Sequence, residues 1–175
     1  MASTVTAGKL VVKLSESIIL NGENHGSVNT MIVPSINEIY KRIVTIPVND
    51  GSIGSNDHYT LITTSGDTAA SAVSHNQFII GDMKYVRITN LNDTAGEGIL
   101  LQIARDVASD GSDEECVWFL LEEGKSFILH TFSSAFDAAA ADTDTPTLTN
   151  ITDIRAVNES ETVAVDLEIF VASAE

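Results

Sequence analysis

Histidine, serine and acidic side chains are the groups in this chain that could form a hydrolytic centre. Nucleophilic catalysis needs a serine or cysteine within hydrogen-bond reach of a base that an acid orients. The candidate bases are the histidines at positions 25, 58, 75 and 130. No Gly-x-Ser-x-Gly turn accompanies them, and the stretch 51–54, Gly-Ser-Ile-Gly, resembles one only superficially. We therefore predict surface histidines in loops and a protein that is not an enzyme.

A second chemistry to consider is metal binding by the acidic stretch 106–115. This stretch places five acids around Gly111: Asp106, Asp110, Asp113, Glu114 and Glu115. Calcium binds clustered carboxylates in flexible loops, but the spacing is not that of an EF-hand. A solvated acidic loop is predicted, with calcium as the alternative. A weaker acidic cluster consists of Asp137, Asp142 and Asp144.

Zinc and nucleotide cofactors are not indicated by the sequence. The single cysteine and the scattered histidines lack zinc-ligand spacing, and there is no glycine-rich loop that would hold a phosphate. No cofactor and no metal are therefore predicted. Because Cys116 is the only cysteine, no disulfide can form within the chain, which favours folding in a reducing cytoplasm.

The most apolar run is 116–121, which contains Cys116 and Trp118. A continuous apolar run of this length is typical of a strand that is buried on both faces. We expect Cys116 to be a small buried hydrophobe and Trp118 to pack in the core.

Charge excludes two classes of partner. The chain has 9 basic and 25 acidic residues, a net charge of −16. Such a surface repels phosphate backbones and anionic membranes, so neither nucleic acid nor a membrane is predicted as a partner. No apolar run approaches the roughly 18 residues of a membrane span. Residues 1–8 lack the features of a secretory signal and are predicted to be a flexible arm.

The elements that would position these residues are strands. Short segments rich in Val, Ile, Leu and Thr alternate with turn residues, such as Asn21-Gly22, over most of the chain. One strand is predicted to stop at Pro34. A helical turn is possible at 35–40, and a strand is favoured from Tyr40 onward. About ten strands predict an all-β fold: one antiparallel β-sandwich domain over 1–175, with jelly-roll topology.

The last strand has the clearest pattern. Leu167 and Ile169 belong to a row of alternate apolar residues, which predicts one face buried in the core. Phe170 lies on the opposite face, together with Asp166 and Glu168. An aromatic side chain there is either covered by a loop or contacts a partner, so Phe170 is the candidate interface residue.

Several stretches together resemble small virion structural proteins of marine tailed phages, including cyanophages. They are Ser-Val-Asn-Thr at 27–30 with 36–44, Lys-Tyr-Val-Arg-Ile-Thr-Asn at 84–90 with Leu-Glu-Glu-Gly-Lys-Ser-Phe at 121–127, and the tail 166–173. The resemblance implies no catalytic residue.

The resemblance implies a virion protein that is made and folded in the host bacterial cytoplasm. The expected function is that of a capsid decoration (cement) protein, which binds and stabilises the outside of the head. Its expected partners are the major capsid protein or tail proteins and further copies of itself, as a homo-oligomer and specifically a trimer. A tail- or fibre-associated protein and a non-viral β-sandwich binding module are the alternatives.

Overall fold

The computed structural model describes residues 6–49, 58–65, 77–106, 114–130, 135–136 and 149–174. Some predicted features lie outside these ranges: His75, the stretch 51–54, the middle of the acidic loop at 107–113, and Asp137, Asp142 and Asp144. Residues 1–5 of the predicted arm also lie outside, whereas Gly8, its last residue, begins the first strand.

The described residues form strands and no helix, which confirms the all-β prediction. The strands are β1 (Gly8–Ser15), β2 (Ile19–Leu20), β3 (Glu23–Asn24), β4 (Val28–Ile36), β5 (Glu38–Ile46), β6 (Tyr59–Ser65), β7 (Gln77–Ile79), β8 (Met83–Asn90), β9 (Ile99–Asp106), β10 (Glu114–Leu121), β11 (Ser126–His130), β12 (Ala135–Phe136), β13 (Thr149–Asn150), β14 (Asp153–Asn158) and β15 (Val165–Ser173). Their number exceeds the predicted ten mainly because β2, β3, β12 and β13 have only 2 residues each.

Two sheets pack face to face. The four-stranded sheet has the order β11-β8-β15-β5, and the five-stranded sheet has the order β10-β9-β14-β6-β7. Without β7 and the two-residue strands β12 and β13, eight strands remain between β5 and β15. Numbered in chain order, the first (β5), eighth (β15), third (β8) and sixth (β11) are neighbours in the four-stranded sheet. The second (β6), seventh (β14), fourth (β9) and fifth (β10) are neighbours in the five-stranded sheet. This is jelly-roll topology, as predicted, with one departure from an antiparallel sandwich, since β6 and β7 pair in parallel.

The main core lies between these two sheets. On β15 the alternate residues Val165, Leu167, Ile169 and Val171 are at most 1% exposed, which confirms the predicted inward row. β15 is central, pairing with β5 on one side and β8 on the other. Its inward residues therefore meet core residues from every neighbouring strand, and the largest fully buried of these are Ile46, Leu61, Ile62, Met83, Ile88, Ile99, Leu101 and Ile154.

Two buried asparagines fix the loops to this core. Asn158, 2% exposed, donates from its amide to the carbonyls of Pro47 at 3.0 Å and Val163 at 2.8 Å. Its carboxamide oxygen accepts the backbone N–H of Ser160 at 2.9 Å. Asn90 plays the same part for the loop after β8, donating to the carbonyl of Glu97 at 2.8 Å. These amides satisfy loop carbonyls that burial would otherwise leave without partners.

A third layer is formed by residues 8–36, which we call the projecting hairpin. β1 and β4 pair with each other in a separate two-stranded sheet. The base of the hairpin lies on the outer face of the four-stranded sheet. There Val33 and Ile36 pack with Tyr85 and Ala172 in a second, smaller apolar cluster. The outer face of β15 is therefore buried at Ala172, 0% exposed, although the alternation of the sequence places it on the polar side.

The predicted end of a strand at Pro34 is wrong, because β4 continues to Ile36. Pro34 and Ser35 fall at the register shift of the β1–β4 ladder, between the pairs Leu10–Val33 and Gly8–Ile36, and a bulge of this kind tolerates a residue without an N–H. Ser35 then adopts a left-handed φ of 60°, and the chain passes through Asn37 directly into β5. The strand predicted from residue 40 onward begins at Glu38, and the helical turn is not formed.

Burial of the run 116–121 on both faces is also wrong. β10 is an edge strand of the five-stranded sheet, and only its Val117, Phe119 and Leu121 face the side of the core. Trp118, on the opposite side, is 40% exposed. It is not a core residue, because an edge strand has a neighbour along only one side.

Candidate interaction surface

The candidate histidine bases that the structure describes lie on different elements. Among the described histidines, His25 lies in the projecting hairpin, His58 precedes β6 and His130 ends β11. The His58 ring packs edge-on against Trp118, with the ring centroids 5.6 Å apart. Within the described ranges no group of three or more His, Cys, Asp or Glu side chains could hold a metal ion.

The acidic loop connects β9 and β10. Asp106 and Glu114 are strand residues, and they pair with each other where β9 and β10 enter the loop. The calcium alternative concerns the whole stretch 106–115, and because its Asp110 and Asp113 lie outside the described ranges, it stays a prediction. Cys116 is a free, half-buried thiol on the outward side of β10, so it is less enclosed than the sequence predicted.

Phe170 packs within its own chain. Its ring meets the ring of Tyr85 edge-on, with centroids 6.0 Å apart. The guanidinium carbon of Arg87 lies 5.7 Å from the centre of the Phe170 ring. Phe170 also packs against the apolar cluster at the base of the projecting hairpin. It is half-buried, so that its contact with a partner stays a prediction while its contact with the hairpin is observed.

An ion-pair network adjoins Phe170. The carboxylate of Glu168 accepts hydrogen bonds from Lys41, at 2.8 Å, and from Arg87. The hydrogen bond from Lys41 lowers the pKa of Glu168 most, with further lowering by the charges of Lys41 and Arg87. Burial beneath the hairpin raises the pKa of the Tyr85 hydroxyl. The network therefore holds Arg87 in place beside Phe170.

The projecting hairpin exposes an unusual number of large aliphatic side chains. No residue from Lys13 to Thr30 is buried, so this half of the hairpin extends away from the sandwich. The exposed apolar residues of the whole projecting hairpin are Val11 at 42%, Leu14 at 58%, Ile18 at 49%, Ile19 at 71%, Leu20 at 54%, Val28 at 66% and Ile32 at 59%. Isolated exposed apolar residues are ordinary, but a concentration of them on one element is typical of an interaction site.

The tip of the hairpin, residues 16–27, is built around a tight turn. Asn21 and Gly22 have φ angles of 52° and 84°, which is the geometry of the predicted tight turn. Backbone N–H groups continue the ladder toward this turn, from Glu16 to the carbonyl of Ser27 and from His25 to that of Ile18, both at 2.8 Å. A Cβ on Gly26 would lie 2.0 Å from the carbonyl oxygen of Glu16, so only glycine fits at this crossing.

The hairpin also differs from the rest of the chain in charge. Within residues 8–36, Lys9 and Lys13 balance Glu16 and Glu23, so that the remainder of the chain carries the whole net charge of −16. The sequence signal for this surface was present: both faces of 9–14 and of 28–33 carry apolar residues, where a half-buried strand would alternate. Sequence reasoning assigned these segments to the sandwich and missed the surface.

A groove of about 460 Å³ runs beside the base of the hairpin. Residues 31–35 of β4 form one wall, and Lys84, His130 and Ala174 complete it. The groove follows the edge of β4 that does not pair with β1. Its volume lies within the range of sites that bind a small molecule or a few side chains.

No protein-family model, curated protein or solved structure matches this chain. In the described part of the chain no helix is long and apolar enough to span a membrane.

Proposed function

We propose that this protein is a non-enzymatic structural subunit of a phage virion, and specifically a capsid decoration protein that binds the outside of the head. The virion is proposed as the assembly because the sequence resembles virion structural proteins. The observation that supports a structural function is the projecting hairpin, which concentrates exposed apolar side chains on an element that has no net charge. Such surfaces mark sites of association between proteins.

The fold and the charge support this proposal. Jelly-roll sandwiches are common in viral capsid proteins, although a fold by itself does not assign a function. A body of charge −16 keeps the protein soluble before assembly and repels DNA. The chemistry of the site is therefore association, and its proposed partners are the major capsid protein and further copies of this chain.

Immunogold electron microscopy of intact phage particles, combined with quantitative mass spectrometry of the same particles, tests the proposal. Labelling over the whole head with many copies per particle is the expected result. A few copies confined to the tail would instead favour the tail- or fibre-associated alternative. Purified particles that lack the protein would refute a virion role and leave the non-viral binding module.

A further inference from the structure

The outer face of the five-stranded sheet carries the only tryptophan of the chain. Trp118 lies on the edge strand β10 and is 40% exposed. His58 precedes β6, which is three strands away from β10 in the sheet, or roughly 14 Å at ordinary strand spacing. Because the two rings nevertheless meet edge-on, with centroids 5.6 Å apart, both side chains extend along the sheet. The indole ring is therefore held against the sheet as a partly open aromatic platform.

Polar side chains continue the row from Trp118 across the same face. Gln102 of β9 pairs with Trp118, and Arg155 of β14 pairs with Gln102, so that the three side chains are cross-strand neighbours. The side-chain oxygen of Gln102 accepts a hydrogen bond from Arg155 at 3.3 Å. Arg155 also donates to the carboxylate of Asp153 at 3.1 Å. These contacts fix an amide, a guanidinium and a carboxylate beside the ring.

The amide nitrogen of Gln102 has donor capacity that the described part of the chain does not use. Such a nitrogen carries two N–H donors, and Gln102 forms its side-chain hydrogen bond through the oxygen alone. Gln102 is 4% exposed, but among the described residues the fully buried side-chain nitrogens without a partner are the Nε atoms of Arg42 and Arg87. The nitrogen of Gln102 therefore reaches the surface as an oriented donor next to Trp118.

This combination of groups matches the chemistry of a carbohydrate. A sugar ring presents an apolar C–H face that packs on an aromatic ring, and its hydroxyl groups both donate and accept hydrogen bonds. Gln102 offers a donor and Asp153 offers an acceptor, which is the small set of fixed polar groups that orients a ligand on an apolar surface. A purely apolar partner would leave these polar groups without hydrogen bonds, which is costly.

Charge restricts the ligand to neutral sugars. Arg155 and Asp153 form an ion pair and compensate each other, so the row itself has no net charge. The chain as a whole carries −16, which repels anionic sugars.

We propose that Trp118 and Gln102, with the pair of Arg155 and Asp153 beside them, bind a neutral saccharide on the outer face of the five-stranded sheet. Because the groups are fixed before the ligand arrives, little conformational entropy is lost on binding. This activity goes beyond the proposed function and does not depend on it. The site lies on the opposite sheet from the base of the projecting hairpin.

Tryptophan fluorescence tests the proposal directly, because Trp118 is the only tryptophan of the chain and its emission reports on this site alone. The probes are cellotriose, maltotriose, mannotriose and chitotriose at millimolar concentrations, with trigalacturonate as the anionic probe. A saturable blue shift with at least one neutral trisaccharide is expected, and none with trigalacturonate. No saturable shift with any neutral probe, or an equal shift with trigalacturonate, would overturn the proposal.

Saturation-transfer NMR of the bound sugar tests the variants, since it needs no fluorophore. Trp118→Ala should abolish the transfer. Gln102→Glu keeps an acceptor for Arg155 but removes the amide donor, and it should weaken binding by about 3- to 10-fold, as expected for one hydrogen bond. Leu120→Ala is the matched control, because Leu120 is 57% exposed two residues from Trp118 on the same strand face, and it should bind like the wild type.

Circular dichroism and melting verify that each variant is folded. Unchanged binding by a folded Trp118→Ala, or equal loss of binding by Leu120→Ala, would overturn the saccharide site, and the second result would instead indicate an apolar protein contact. Because the location of the protein on phage particles is measured separately, failure of this inference leaves the proposed function intact.

Discussion

Replacement of Phe170 by alanine is expected to release the base of the projecting hairpin from the sandwich. A fully buried Phe→Ala change costs about 3–5 kcal/mol, and because Phe170 is half-buried we expect roughly half of this from packing. The lost edge-on contact with Tyr85 adds about 0.5–1.5 kcal/mol, and the lost contact with Arg87 adds about 0.5–1 kcal/mol. The expected loss is therefore about 3 kcal/mol in the free energy of unfolding.

For a chain of this size, each kcal/mol lowers the melting temperature by about 2–4 °C, so Phe170→Ala should melt about 6–12 °C below the wild type. Hydrogen exchange should show reduced protection of the backbone amides in β1 and β4 before it changes in β15. Ile43→Ala is the matched control, because Ile43 lies on the same outer face of the same sheet but is 60% exposed. Unchanged melting and amide protection, with weakened self-association, would refute this reasoning and assign Phe170 directly to an interface.

Three further predictions concern the sandwich. Leu167→Ala, at 0% exposure, should cost about 2–5 kcal/mol in denaturant unfolding, and a cost equal to that of Ile43→Ala would show that the strand register is wrong. Asn158→Ala should cost about 2–4 kcal/mol because it leaves buried carbonyls without donors, whereas Asn29→Ala, at an exposed site, should cost almost nothing in the same assay. The pKa of Glu168 is lowered from its ordinary value of 4.5. The ion pairs of Glu168 therefore stabilise the fold fully at a pH above 4.5, and this stabilisation is lost as the pH falls through the lowered pKa. The melting difference between wild type and Glu168→Gln should therefore be present at pH 6 and shrink below pH 4.5; a difference that persists at low pH would contradict the ion-pair account.

The sandwich could be predicted from the sequence because its strands carry local signals. The alternation around Leu167 and Ile169 is strict, and it correctly gave which face of β15 is buried. The jelly roll followed from the number and spacing of such segments. The error at 116–121 has a physical origin: an apolar run shows that both faces carry apolar residues but not whether a neighbouring strand covers them. Trp118 is exposed because β10 is at the edge of its sheet, and sheet order depends on long-range pairing that local patterns do not encode.

That the projecting hairpin lies outside the sandwich could not be predicted either, because this too depends on long-range pairing. Residues 9–14 read as a strand in the sequence and are a strand in the structure, but their partner is β4 alone and not a strand of the sandwich. Whether such a pair joins a sheet or leaves it depends on the chain around Pro34 and Ser35. The left-handed φ of Ser35 belongs to a residue that rarely adopts it, so nothing in the local sequence predicted that β4 would cross the face of the sheet.

Phe170 connects the sandwich to the base of the projecting hairpin, while its contact with a partner stays a prediction. Phe170, with Tyr85 and Arg87 beside it, supports the base of the hairpin, while the exposed aliphatic residues lie at the other end. An apolar surface on a loosely attached hairpin would lose more orientational freedom on association, and its affinity for a partner would fall. Phe170→Ala should therefore weaken self-association indirectly, in proportion to the loss of amide protection in β1 and β4, whereas Ile19→Asp should abolish it with that protection unchanged.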